Sequence, residues 1–251
     1  MKKNYFLKEI WRYPIKGFNG EKLNSVFLKK NNIIPGDREF ALKINRDKNI
    51  KNKCNQWEPK RNFLQLLNYP EISKFHIVID KNLNLLSIFF DDKNKINLNI
   101  NDNTKISKFF NKRLIKNLDS PLSFIKLNEN GFTDNLNPYV SICGDASINE
   151  VSKRSRLKLE NERFRINFIL KTDKPFEEFS WIGKIITIGE SRIKIIEKVG
   201  RCSAINIQPK TSHNKKDLIK IMLNQLGHKN LGVFGIILND GLIKKGDFLQ
   251  I

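Results

Sequence analysis

The sequence predicts a β-rich α+β fold of barrel-like character, on two observations. Short apolar runs, many of them alternating and bounded by Gly, Pro, Asn or Asp, recur along the chain, and only three stretches place apolar residues at helical spacing. With 251 residues, 39% of them hydrophobic, the chain can bury a core as one large domain or two small ones packed together.

In chain order, "FLKEIWRYPI" and "KLNSVFLKK" read as strands, and "REFALKI" is a third, entered through the turn residues "IPGD". "FHIVID" and "LLSIFF", separated by "KNLN", predict a hairpin. "TKISKFFNKRL" spaces Ile106, Phe109, Phe110 and Leu114 as an amphipathic helix. Residues 116–138, rich in Asn, Asp, Gly and Pro, form the best internal boundary, which divides the chain into domains 1–115 and 116–251. Beyond it, "YVSIC" is a strand, followed by a helix over "GDASINEVSKRSRL" that Asp145 or Ser147 can cap. "RINFIL" is a strand, and "KIITIGESRIKIIEKV" alternates around Gly189 as a hairpin. "NKKDLIKIMLNQLG" is a helix ending at Gly227. The last strands, "GVFGIIL" and "LIKKGDFLQI", meet at "NDG", a hairpin-turn signature.

The formal charge of +20 raises the question of nucleic acid. Against it, 35 Lys, 34 Ile and 32 Asn stand beside only 11 Arg, the joint excess that a compositional bias of the genome produces. The lysines are scattered, with no aromatic stripe or RNA-binding motif among them, so a nucleic-acid partner is disfavoured. The start of the chain has no sustained apolar stretch, and no run is long enough to span a membrane. Three widely spaced cysteines, Cys54, Cys143 and Cys202, make neither a disulfide framework nor a zinc site, and they fit a reducing cytoplasm. They are also too few for a conventional iron–sulfur cluster.

Against this bias the arginines carry more information than the lysines, because a planar guanidinium grips anions in a way lysine cannot copy. "GDREF" puts Arg38 after a turn, and "FRIN" sets Arg165 and Asn167 two apart, on one side of a strand. Lys16 and Gly17 stand in the turn of "YPIKG". Cys202 follows Arg201 where a strand meets a turn, and a neighbouring cation favours the thiolate that binds metals and attacks electrophiles. Each of these has a plainer reading: a surface ion pair for the arginines, a solvated lysine, a small buried thiol for the cysteine. Cys143, within an apolar run, fits the buried reading best, and Cys54 reads as a loop residue.

Taken in order, "WRYPIKG", "GDREFAL", "GDASINEVSKR", "RFRINFIL", "PFEEFSWIGKIITIG", "VGRCSAIN" and "FGIILNDGLIKKGD" resemble the MOSC family, named after the C-terminal domain of molybdenum cofactor sulfurase. The first blocks resemble the β-barrel domain that precedes MOSC in the amidoxime-reducing component and its bacterial relatives. The resemblance implies a MOSC-type β-barrel with a preceding smaller β-barrel-like domain and a few helices. It implies a molybdenum cofactor (molybdopterin) with Cys202 as metal ligand and catalytic residue. Lys16, Gly17, Arg38, Asp145, Arg165, Asn167 and Arg201 are then the cofactor-binding positions. The implied activity is reduction of small N-hydroxylated or N-oxide compounds, with electrons from a separate donor protein, since the chain shows no cluster, flavin or nicotinamide motif of its own. Sulfur transfer through a Cys202 persulfide and a basic nucleic-acid-binding barrel are the alternatives. The chain departs from the family pattern at Gly17, Ile166, Gln208, Ser212 and Ile237.

Overall fold

The computed structural model describes residues 5–46, 58–91, 93–114, 120–127, 131–213 and 216–251. The first half carries β1 (Phe6–Arg12), β2 (Glu21–Leu23), β3 (Ser25–Leu28), β4 (Phe40–Ile44), β5 (His76–Asp80), β6 (Leu85–Phe90), β7 (Asn94–Asn99) and α1 (Asn103–Leu114). After β8 (Leu122–Lys126) come β9 (Val140–Gly144), α2 (Asp145–Ser155) and β10 (Phe168–Lys171). The chain ends with β11 (Ile185–Ile188), β12 (Ser191–Gly200), α3 (Leu218–Leu226), β13 (Asn230–Ile237), β14 (Gly241–Lys244) and β15 (Leu249–Gln250). The architecture is α+β and β-rich, with no helix among the described residues long and apolar enough to cross a membrane.

An eight-stranded sheet, in the order β15-β11-β12-β13-β9-β10-β1-β2, dominates. It is antiparallel except for β9 and β10, which run parallel and are joined through α2, as a parallel connection requires. Its concave side is filled by apolar residues such as Leu7, Ile142, Phe168, Ile195 and Val233, packed with Val26 and Leu28 of β3 and Ile243 of β14. α2 and α3 cover the other side through Ile148, Val151, Leu218 and Met222. A second core gathers β4, the antiparallel β5-β6-β7 sheet, α1 and β8. Phe75, Phe90, Phe109 and Phe110 meet there edge-on or tilted, at centroid distances from 5.1 to 6.5 Å.

Several local expectations hold. α1 buries the four apolar residues its spacing selects. α3 is capped by Asp217, which accepts from the Lys220 N–H, and ends at Gly227. The β5–β6 and β11–β12 hairpins form, the second around Gly189.

Others need correction. "NDG" does not make a hairpin between β13 and β14: β14 pairs with β3, and β15 with β11, because a turn at Gly246 splits the terminal run. The Asn- and Pro-rich segment 116–138 contains β8, whose apolar residues pair along β4. Position 115/116, where the two domains divide in the sequence reading, lies outside the described residues, as does Cys54. β1 and β2 join the large sheet, and β8 pairs with β4 in the second core. Neither Asp145 nor Ser147 caps α2; Gly144 holds the N-cap position.

Candidate functional site

A cleft of about 440 Å³ opens where the ends of β1, β10, β12 and β13 meet segments 60–67 and 133–139. Lys16, Gly17, Arg38, Arg165, Asn167, Arg201 and Cys202 all line it, so the structure brings together seven of the eight positions the sequence singled out. Asp145 is the exception and does not line the cleft. Its carboxylate accepts from the Thr172 N–H at 3.1 Å and pairs with Lys8 at 3.0 Å, tying α2 to β1 and the end of β10.

Arg38 and Arg165 reach the cleft from unusual backbone. Both are left-handed, at φ of 52° each, a conformation that costs energy in non-glycine residues and persists where surrounding contacts enforce it. Arg165 is therefore not a strand residue beside Asn167, as its spacing suggested; it ends a 3₁₀ turn just ahead of β10. Its N–H bonds to the Glu162 carbonyl, and the Arg38 N–H bonds to the Tyr13 carbonyl. Both guanidinium groups lie over the buried Tyr13 ring, Arg38 at 5.2 Å and Arg165 at 4.5 Å from its centroid. Cation–π attraction there offsets part of the repulsion between two like charges. Sequence reading missed Tyr13, although it stands in the quoted "WRYP" run.

Two glycines shape the rim. Gly17, at φ +88°, approaches the Leu64 carbonyl and Ile72, so a side chain there would be strained. The departure from the family pattern at Gly17 thus accompanies a backbone that favours glycine. Gly131, at φ +54°, lies so close to the Asp37 carbonyl that a Cβ would overlap it. This approach brings the Phe132 N–H onto the Arg38 carbonyl at 2.7 Å and the Phe132 carbonyl within 2.9 Å of Lys16 Nζ.

Six cationic side chains line the cleft, the candidates Lys16, Arg38, Arg165 and Arg201 together with Lys60 and Arg163, against one carboxylate, Asp134. Lys16 donates to Asp134, and Arg38 pairs with the buried Asp37 behind the wall. Burial holds the Lys16 ammonium below its ordinary pKa, with Asp134 opposing. Burial, and then the neighbouring Arg38, brings Arg165 down to about 10. Burial does the same to Arg201, also to about 10. Arg165 Nη2 and Arg163 Nε are buried with no hydrogen-bond partner among the described residues. Unpaired buried donors in a cationic cleft call for an anion with several acceptor oxygens.

Not every lining residue is free to hold one. Asn167 Oδ1 accepts from the Ser141 N–H and Oγ, while its Nδ2 donates to the Trp11 carbonyl and Asp37. Arg201 bonds the carbonyls of Leu231 and Phe164. Both residues hold the wall in place. Cys202 begins the 3₁₀ turn Ser203–Asn206 after β12, exposed, and its thiol has no hydrogen-bond partner among the described residues. Across the cleft Tyr139 stacks on Phe234 at 5.3 Å. Cys143, by contrast, is buried in the core.

The remaining departures fall elsewhere. Ile166 and Ile237 are fully buried and line no part of the cleft, Gln208 lines a smaller hollow beside it, and Ser212 keeps a left-handed φ of 58°.

Residues 133–250 match the family model for the MOSC domain. The chain carries a MOSC domain. Within it lie Arg165, Asn167, Arg201 and Cys202, while Lys16, Gly17 and Arg38 precede it, so the cleft is completed from outside the MOSC domain. A zebrafish (Danio rerio) protein, molybdenum cofactor sulfurase, is 30% identical over 74 residues, which are 29% of this chain and 9% of that protein. The match thus spans a small part of the sulfurase. Among solved structures, the YuaD protein of Bacillus subtilis aligns over 98% of this chain and 94% of its own, at 12% identity and a TM-score of 0.48. YiiM of Geobacillus stearothermophilus aligns over 44% of this chain and 52% of its own, at 21% identity and a TM-score of 0.36.

A second buried group lies behind the MOSC sheet. Glu178 accepts from Ser147 Oγ at 2.8 Å and from the Cys143 thiol at 3.4 Å, and burial pushes its carboxyl pKa up. The folded state therefore holds this proton more tightly than the unfolded chain. Its stabilising effect is complete below the unfolded value and is lost as pH rises through the folded one. Glu178→Gln should flatten this dependence: unfolding midpoints measured from about pH 4 to 8 should fall in the parent protein relative to the variant as pH rises.

Proposed function

We propose that the protein is a molybdenum-cofactor oxidoreductase that reduces the N–O bond of N-hydroxylated or N-oxide compounds, using electrons from a separate donor protein. For an N-hydroxylated amine the balance is R–NHOH plus two protons and two electrons, giving R–NH₂ and water. The observation that carries this reading is an exposed thiol, Cys202, without a hydrogen-bond partner among the described residues, on the wall of a cleft where Arg165 Nη2 and Arg163 Nε are buried without acceptors among those residues. When bound, the cofactor supplies a metal centre capable of two-electron chemistry.

The residues fit that group. Arg165 Nη2 would take up a phosphate oxygen, with Arg38 and Lys16 adding positive charge from the same side. Cys202 would present a thiolate to the metal, a soft ligand suited to it. Asn167 and Arg201 position this machinery: one joins Ser141 to Asp37, the other fixes the backbone next to Cys202. Tyr139 and Phe234 offer an aromatic face against which a planar substrate can lie.

The test is purification from a host competent for molybdenum cofactor synthesis, with metal analysis and an assay on an N-hydroxylated amidine using reduced viologen as donor. Stoichiometric molybdenum and turnover are the expected result. Metal-free, inactive protein under those conditions sinks the proposal.

A second reading, transfer of sulfur through a Cys202 persulfide, draws on the exposure of Cys202 and the likeness to a molybdenum cofactor sulfurase. Intact-mass measurement before and after thiol reductant separates the two readings, since only the sulfur carrier shows reductant-labile sulfur on Cys202.

A further inference from the structure

We infer that the groove between the last turn of α2 and α3 is the docking surface for a small acidic one-electron carrier protein. The carrier is the donor that the oxidoreductase reading requires, and the inference rests on that reading. The groove, of about 510 Å³, is bordered by Lys153, Arg154 and Arg156 on one side and by Lys216, Ile221 and Gln225 on the other. From Lys216 a hollow of about 210 Å³ runs past Lys158 to Arg163, and Arg163 also lines the Cys202 cleft. Two shared cations, Lys216 and the buried Arg163, therefore link the outer groove to the proposed redox site.

Groove and hollow stand apart from the general lysine excess because three of the chain's 11 arginines, Arg154, Arg156 and Arg163, fall along them. Along the groove and the hollow, Lys153, Arg156 and Lys158 are exposed and make no ion pair within the described residues, whereas Arg154 pairs with Glu150 and Arg163 with Glu160. The groove is also held in shape: Lys216 Nζ donates to the Ser155 carbonyl at 2.7 Å, bridging the end of α2 to the start of α3. Leu157 and Ile221 supply a half-buried apolar floor.

An apolar floor with a cationic rim is the anatomy of a protein interface, in which rim charges steer an oppositely charged partner. No aromatic side chain lines the groove or the hollow, so single-stranded nucleic acid would find no stacking platform there. Two carriers docking in turn would each give up one electron and leave oxidised. Together they provide the two electrons that accompany two protons for each N–O bond reduced.

The test uses the purified holoprotein and, as probe, a reduced acidic plant-type ferredoxin. Binding is measured directly at low and moderate salt, and turnover is measured with either the ferredoxin or reduced viologen. Lys153→Glu with Lys158→Glu should weaken ferredoxin binding by about tenfold or more and lower ferredoxin-driven turnover alike, while viologen-driven turnover stays at the parent level. Lys93→Glu with Lys95→Glu, an equal change of net charge elsewhere on the surface, should leave both nearly unchanged.

Equal losses in the two double variants would overturn the inference, since net charge alone would then explain binding. Absence of ferredoxin binding, or groove-dependent binding of a single-stranded oligonucleotide in its place, would overturn it as well. If groove-dependent ferredoxin binding persists but viologen drives no turnover, the docking surface stands and the oxidoreductase reading fails.

Discussion

Cys202→Ala is expected to remove N–O reduction almost completely while leaving the fold intact. Loss of groups that merely support metal ligands costs about 10- to 100-fold. Loss of the ligand itself should therefore cost more than about a hundredfold in kcat/KM. Stability should not follow, because Cys202 is exposed and its thiol has no hydrogen-bond partner among the described residues. A change within about 0.5 kcal/mol is the expectation for such a position. The checks are molybdenum content, turnover with a chemical reductant, and a denaturant midpoint on the same preparation. Parent-level activity in Cys202→Ala would eliminate the thiolate from the mechanism.

Asn167→Leu should have the opposite profile, with stability lost first and activity following. Asn167 is nearly sealed from solvent and joins β9 to β1 through Ser141 and Trp11, while donating to Asp37 behind Arg38. Leucine fills similar space but leaves the Ser141 N–H and hydroxyl, the Trp11 carbonyl and Asp37 each short of a partner. Unsatisfied buried groups cost about 1–3 kcal/mol apiece, partly recovered by relaxation, so a net loss of about 3 kcal/mol is expected. Urea denaturation measures it directly. A loss under about 1 kcal/mol would mean that these groups find other partners, and that Asn167 does not organise the cleft.

Some elements were legible because their cause is local. α1 follows from four apolar residues on one face, α3 from its cap and terminal glycine, and the β11–β12 hairpin from alternation around Gly189. β7 escaped notice because it is an edge strand, and its half-exposed run "NKINLN" offers no continuous apolar stripe. β8 was hidden in a segment whose composition signals turns, and its pairing with β4 depends on residues some 80 positions away. The "NDG" turn misled for the same reason. A hairpin dipeptide describes the turn, whereas β14 is claimed by β3, more than 200 residues earlier.

The site divides along the same line. Residue identity, the scarcity of arginine and the order of the motifs picked out Cys202, Arg38, Arg165 and Lys16, because anion and metal chemistry demand particular side chains whatever the fold. Local sequence by itself thus determined the candidate chemistry, the β-rich class and the helices. Only the tertiary structure decided that Asp145 ties α2 to β1 away from the cleft, that Asn167 and Arg201 position the wall, and that Arg163 and Tyr13 belong beside the named residues. Those roles depend on which buried donors and acceptors meet across strands distant in sequence, and no local pattern encodes that.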